Sequence, residues 1–158
     1  MKNELLHQWE QKSLDRQKLY KQTLDKADKT KTLKQLPAYH NEAFEQVDCL
    51  ACANCCKNYS PRFKPPDIKR IAKALKMSES ALMDKYLTRD EEGDYVVITK
   101  PCPFLGDDNF CGIYEVRPSD CRRFPYTDED VFLKKIKITL KNSTFCPAVY
   151  LILEKMNT

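Results

Sequence analysis

The chain has 158 residues, 42% hydrophobic and 32% charged, with a mean hydropathy of −0.63, enough for one domain with a modest core and a charged surface. No apolar run approaches the length of a bilayer-spanning helix, and residues 1–8 lack the apolar stretch of a secretory signal, so no membrane is expected and the location reads as reducing and cytoplasmic. The net charge of +4 arises within residues 1–34, where nine Lys/Arg meet five Asp/Glu in alternation, as on a solvated helix face, which speaks against nucleic acid as a partner.

Residues 3–35 contain no Gly or Pro and are rich in Lys, Gln, Glu and Leu, a composition that predicts helix. Leu5, Leu6 and Trp9 form one apolar patch at helical spacing, and Leu19, Tyr20, Leu24 and Ala27 form another, with Ser13 placed to cap a restart between them. Pro37 is expected to end this segment and open a shorter helix through Ala43, Phe44 and Val47. Residues 58–66 read as loop. Pro65, Pro66 and Asp67 set up a helix with Ile68, Ile71, Ala72 and Leu75 on one face, and Ser78 caps the next, which carries Leu82, Met83, Tyr86 and Leu87.

An acidic turn at 90–93 leads into a β-branched strand at 95–99, expected to pair with a second strand around 110–114. A helical turn should follow Pro118. Residues 129–141 fit a helix through Phe132, Ile136 and Leu140, or a strand through Ile136, Ile138 and Leu140; from Pro147 onward the chain reads as helix. The expected fold class is α+β, mainly α-helical: an N-terminal charged helical extension over residues 1–36, then a small, irregular, metal-organised cysteine-cluster domain over 37–158 with one β-hairpin.

Eight cysteines carry the chemistry: Cys49, Cys52, Cys55, Cys56, Cys102, Cys111, Cys121 and Cys146. Their density is below that of a disulfide scaffold and no export signal accompanies them, while four fall within residues 49–56, so they read as ligands for zinc or iron. Each C-x-x-C step lets two thiolates converge on one ion, and two steps in series give three at Cys49, Cys52 and Cys55. The same run opens the bacterial ferredoxin motif, whose distal ligand is followed by proline, as Cys102 is by Pro103 and Cys146 by Pro147.

Cys56 is the odd member, because adjacent side chains diverge. It serves a second metal, bridges in a polynuclear centre or packs as a thiol. Cys102, Cys111, Cys121 and Cys146 are too far apart in sequence to chelate except by folding back. Eight thiolates suit two four-cysteine sites, or one four-cysteine centre plus four reduced cysteines; the metal is zinc, iron or an iron–sulfur cluster such as 4Fe-4S.

On these residues the sequence resembles the CxxCxxCC cysteine-cluster family of zinc- or iron-chelating domain proteins. The resemblance rests on Cys49, Cys52, Cys55 and Cys56, on the run Pro101, Cys102, Pro103, Phe104 and Leu105, and on Cys111, Ile113, Tyr114, Glu115, Arg117, Pro118, Cys121, Arg122, Phe124 and Pro125, with Cys146 and Pro147 later. It covers about residues 48 to 148 and implies a metal-binding protein with these cysteines as ligands. Ala53 stands where the family often has glycine, a position tied to positive φ. A similar cluster occurs in flagellin lysine methylases, where an iron–sulfur centre is implied; this chain matches only the cluster.

The other candidates read blandly. His40 lies nine residues before Cys49, outside ordinary ligand spacing, and His7 sits in a charged helix. Arg117, Arg122 and Arg123 flank Cys121 and are placed to offset thiolate charge or, alternatively, to bind an anionic substrate. Gly93, Gly106 and Gly112 form no phosphate-binding loop, the spacing is not C-x3-C-x2-C, and no Ser/His/Asp set is present. The expected function is a structural, storage or interaction module built on metal; the alternative is an iron–sulfur-dependent redox or methyl-transfer-related enzyme component. No catalytic residue and no protein partner are identified by the sequence.

Overall fold

The computed structural model describes residues 6–158, so Leu5 of the first expected apolar patch lies outside them. In chain order come α1 (Trp9–Asp15), α2 (Gln17–Lys26), α3 (Lys29–Gln46), α4 (Cys49–Cys52), α5 (Asn54–Asn58), α6 (Pro65–Ala74) and α7 (Glu79–Tyr86). A hairpin of β1 (Leu87–Arg89) and β2 (Tyr95–Val97) follows, then a 3-10 turn at Tyr114–Val116. The chain closes with α8 (Ser119–Arg123), α9 (Val131–Lys134), α10 (Ile136–Ser143) and α11 (Pro147–Met156). This is the expected α+β, mainly helical class. Among the described residues no helix is long and apolar enough to cross a membrane. Two compact units divide the chain: the chain up to Cys49 with Pro125–Thr158, and Leu50–Phe124.

The first unit is organised on α11, whose residues from Pro147 to Leu153 are all buried, the pattern of a helix covered on every side. α1, α3 and α10 pack against it. Trp9 meets Tyr150 with ring centroids 6.1 Å apart, Arg16 pairs with Glu154 at 3.0 Å, and Thr23 donates to the Asn157 side-chain oxygen at 2.7 Å. Tyr20, Leu24 and Leu36 are fully buried. The boundary expected between residues 36 and 37 falls inside α3.

Three local expectations change here. Ser13 does not cap a restart: it is buried within α1, and its hydroxyl donates to the Ser143 carbonyl at 2.7 Å. The break falls at Arg16 (φ −103°, ψ 9°), whose N–H still reaches the Lys12 carbonyl at 3.1 Å, so α2 needs no new cap. Pro37 does not end its helix. Losing one backbone bond costs about 3 kcal/mol, but Pro37 is exposed, Asp28 caps the start through Lys31 N–H at 3.0 Å, and Leu36 and Ala43 bury the opposite face on either side of it. Residues 129–141 take the helical alternative as α9 and α10, with Thr139 donating to the Phe132 carbonyl at 2.7 Å.

The second unit packs Phe63, Ile68, Ile71, Ala72, Leu82, Leu87, Val97, Phe104 and Ile113 into one core. α6 begins at the expected prolines, with Asp67 reaching back to accept from Lys64 N–H at 3.0 Å, and Ser78 caps α7 by accepting from Ala81 N–H at 3.0 Å. The hairpin exists but with a different partner from the one expected. β2 pairs antiparallel with β1, Leu87 opposite Val97, and not with residues 110–114. Closing a short turn costs less chain entropy than closing a long one. Asp90 stabilises that turn by accepting from the N–H groups of Glu92 and Asp94, and Gly93 supplies φ 84°. Residues 104–114 fold back on themselves instead: Gly106 N–H donates to the Phe110 carbonyl at 2.9 Å and Gly112 N–H to the Phe104 carbonyl at 2.8 Å, around a single antiparallel bridge between Leu105 and Cys111.

Because Leu24 is fully buried in the first unit, Leu24→Ala should cost about 2–5 kcal/mol. Urea unfolding followed by fluorescence of Trp9, the chain's single tryptophan, measures it. A loss below about 0.5 kcal/mol, as for a surface substitution, would mark residues 1–36 as an appendage.

Candidate metal centre

The cysteine run is folded as two helical turns joined by one left-handed residue. Cys52 closes α4, Ala53 takes φ 47° and ψ 16°, and Cys55 and Cys56 lie in α5. So the chain makes with alanine the turn for which glycine is the easier residue, at about 1–2 kcal/mol of strain. Ala53 is buried, and its carbonyl accepts from Lys57 N–H at 3.1 Å, which holds the conformation in place. The backbone also joins this run to the next cysteine: Cys102 N–H donates to the Cys56 carbonyl at 2.8 Å. Cys102 and Cys111 are packed on the second unit's core, and Cys121 sits in α8 with its N–H on the Pro118 carbonyl at 3.0 Å.

Five thiols from these segments act on one another electrostatically: Cys55, Cys56, Cys102, Cys111 and Cys121. Each is half-buried. The Cys55 thiol is pushed up strongly, first because it donates a hydrogen bond to Cys56 and then by burial, and the same bond draws Cys56 down. Burial raises Cys102, Cys111 and Cys121, and for Cys121 the neighbouring thiolates and Asp120 add to it. Opposing this, the backbone N–H groups of Phe104 and Leu105 bond to the Cys102 sulfur, and that of Ile113 bonds to Cys111. Such N–H donors favour thiolate over thiol.

The loop between Cys111 and Cys121 is fixed by charge. Asp67 is buried, and its Oδ1 accepts from Arg70 at 2.8 Å and from Ser119 N–H at 3.2 Å. Arg70 in turn donates to the carbonyls of Val116 at 3.3 Å and Arg117 at 2.9 Å. Arg117 donates to the Tyr114 carbonyl at 2.7 Å and lies with its guanidinium carbon 4.0 Å from the Tyr114 ring centre, while Arg122 donates to the Glu115 carbonyl at 2.9 Å. Arg117 and Arg122 thus brace the loop, and the charge of Arg117 also draws the Cys111 thiol down. Asp120, buried beside Cys121, pairs with Arg62 at 3.0 Å and Lys64 at 3.8 Å.

Of the eight expected ligands, Cys52, Cys55, Cys56, Cys102, Cys111 and Cys121 belong to the second unit and Cys49 and Cys146 to the first. Cys146 is buried at the start of α11, where its carbonyl accepts from Tyr150 N–H at 3.2 Å. His40 contacts Thr127 at 2.6 Å and packs on Phe44, and His7 is exposed. Among the described residues no group of three or more His, Cys, Asp or Glu stands in metal-holding geometry as placed. The five coupled thiols nevertheless form a donor set suited to soft, thiophilic ions, and zinc or an iron–sulfur cluster fits it by chemistry. Asp67 and Arg70 were the members of this framework that sequence reasoning missed. Their i, i+3 spacing was visible, but their backbone partners were not.

Residues 48–147 match the CxxCxxCC family model, described as "Putative zinc- or iron-chelating domain". The match covers more than half of the chain, and the chain belongs to this family. No curated protein and no solved structure matches it.

Burial pushes the Asp67 pKa up, but the hydrogen bonds from Arg70, Lys64 N–H and Ser119 N–H outweigh it and leave the carboxyl below its ordinary 3.8. The resulting stabilisation is fully present above pH 3.8 and is lost as pH falls through the lower folded value. Asp67→Asn should therefore destabilise the second unit by about 2 kcal/mol at pH 7, with the gap to the parent shrinking below pH 3.8 in parallel thermal melts. A gap that is constant with pH would mean the charge is not what holds the loop.

Proposed function

We propose that this member of a zinc- or iron-chelating family is a metal-binding module in which thiolates of the second unit hold the metal, serving a structural, storage or interaction role. The observation that carries the reading is the mutual coupling of Cys55, Cys56, Cys102, Cys111 and Cys121 within one unit, with backbone N–H donors aimed at two of the sulfurs. These five are the proposed ligands. Cys49 and Cys52 share the helical turn α4 that leads into this run.

Zinc would supply charge neutralisation and cross-linking without redox chemistry, whereas an iron–sulfur cluster would add electron transfer. What the chain's own residues do is common to both: they gather the sulfurs, hold the 111–121 loop with arginines and lower the cost of thiolate formation with N–H donors. A structural metal contributes on the order of ten kcal/mol, which is ample to fix loops with little apolar content.

A second reading, an iron–sulfur-dependent redox or methyl-transfer-related component, is favoured by the number of coupled sulfurs. Five exceed the four that one tetrahedral ion takes, and the neighbours Cys55 and Cys56 are suited to neighbouring metals.

Anaerobic purification followed by metal and acid-labile sulfide analysis tests both. Stoichiometric metal is expected, and Cys102→Ser and Cys121→Ser should each remove most of it along with much of the thermal stability. Brown protein containing iron and sulfide selects the second reading; colourless protein with zinc selects a closed structural site. Full metal retention in both serine variants would sink the proposed ligand set.

A further inference from the structure

We infer that Arg70 is a positioning residue for the thiol centre, fixing the segment that carries the chain from Cys111 to Cys121. It rests on the metal-binding reading above and adds a residue that belongs to none of the cysteine motifs. Arg70 sits on α6, anchored by the buried Asp67 at 2.8 Å. From there one guanidinium reaches two consecutive carbonyls, Val116 at 3.3 Å through Nε and Arg117 at 2.9 Å through Nη2. Asp67 completes the clamp by accepting from Ser119 N–H at 3.2 Å. The four groups held, in Val116, Arg117, Ser119 and Asp67, set where α8 starts and so where Cys121 stands relative to Cys111.

A planar fork is needed for this. Lysine carries the same charge on a single nitrogen and cannot span a carboxylate and two carbonyls with the same geometry. Arg70→Lys should therefore keep the fold while loosening the spacing of the two sulfurs. Burial of the clamp reinforces the point: Asp67 is 3% exposed, so a partner lost there is not replaced by water without cost.

The test uses the full-length chain, freed of metal under reducing, anaerobic conditions and titrated with cobalt(II), whose sulfur charge-transfer and d–d bands report ligand number and geometry. Arg70→Lys is expected to bind cobalt at least tenfold more weakly, measured by chelator competition, and to show shifted d–d bands. Asp67→Asn, which leaves Arg70 in place but releases its anchor, should move the spectrum in the same direction and covers the case of an Arg70 variant that does not fold. Leu24→Ala is the control for stability alone: it opens a cavity at a fully buried position of the first unit, which holds none of the five coupled thiols, and should lower the melting temperature while leaving the bands unchanged. Parent-like affinity and bands in both clamp variants overturn the inference. A parent chain that takes up no cobalt overturns the metal-binding reading instead, and this one with it.

Discussion

Five half-buried sulfurs within electrostatic reach of one another cannot all be thiolates unless a cation shares their charge. Burial and mutual repulsion both resist ionisation, which is why Cys102, Cys111 and Cys121 are pushed up. Backbone N–H groups of Phe104, Leu105 and Ile113 act in the opposite direction at Cys102 and Cys111 without overturning the effect of burial. A thiophilic cation resolves the conflict by removing the repulsion and replacing the lost solvation together. The remaining features of the second unit follow from the need to hold these sulfurs near one another.

Two kinds of support do that holding. Apolar packing fixes Cys102 and Cys111, which lie against the core formed around Phe63, Ile71, Phe104 and Ile113. The loop leading to Cys121 has little apolar surface, and there guanidinium groups take over: Arg70, Arg117 and Arg122 satisfy the carbonyls of residues 114 to 117 in succession. These donors brace the loop. Their positive charge lies beside a centre that is negative when its thiolates are formed, so the same groups serve geometry and charge balance.

What the sequence made legible was whatever is decided locally. Ser78 as a cap and the prolines before α6 depend on a few neighbouring residues and stand, while the strand expected over 95–99 is present over Tyr95–Val97. Strand pairing was misread because residues 110–112 pair with the nearby residues 104–106 rather than with β2, a choice that composition does not reveal. Pro37 was misread because a single-residue penalty was set against burial of Leu36 and Ala43 that only the tertiary structure displays. Ser13 looked like a cap and is a buried hydroxyl paired across 130 residues of sequence. At the centre, the cysteines announced their chemistry, but the hydrogen bonds from Arg70 to the loop before Cys121 depend on how the chain folds back.

The adjacent pair shows how the number of sulfurs bears on the metal. Consecutive residues of α5 project about 100° apart, so Cys55 and Cys56 face different directions from one helical turn. Without metal they settle their proximity by a hydrogen bond in which Cys55 keeps its proton and Cys56 accepts. A single tetrahedral ion would need four of the five sulfurs and would leave one as a thiol able to donate to a bound sulfur. A polynuclear centre would take Cys55 and Cys56 both as thiolates, since it offers more than one ion to bind. The helical turn at Asn54–Asn58 therefore suits either centre, and the number of thiolates bound is the chemical feature that would distinguish them.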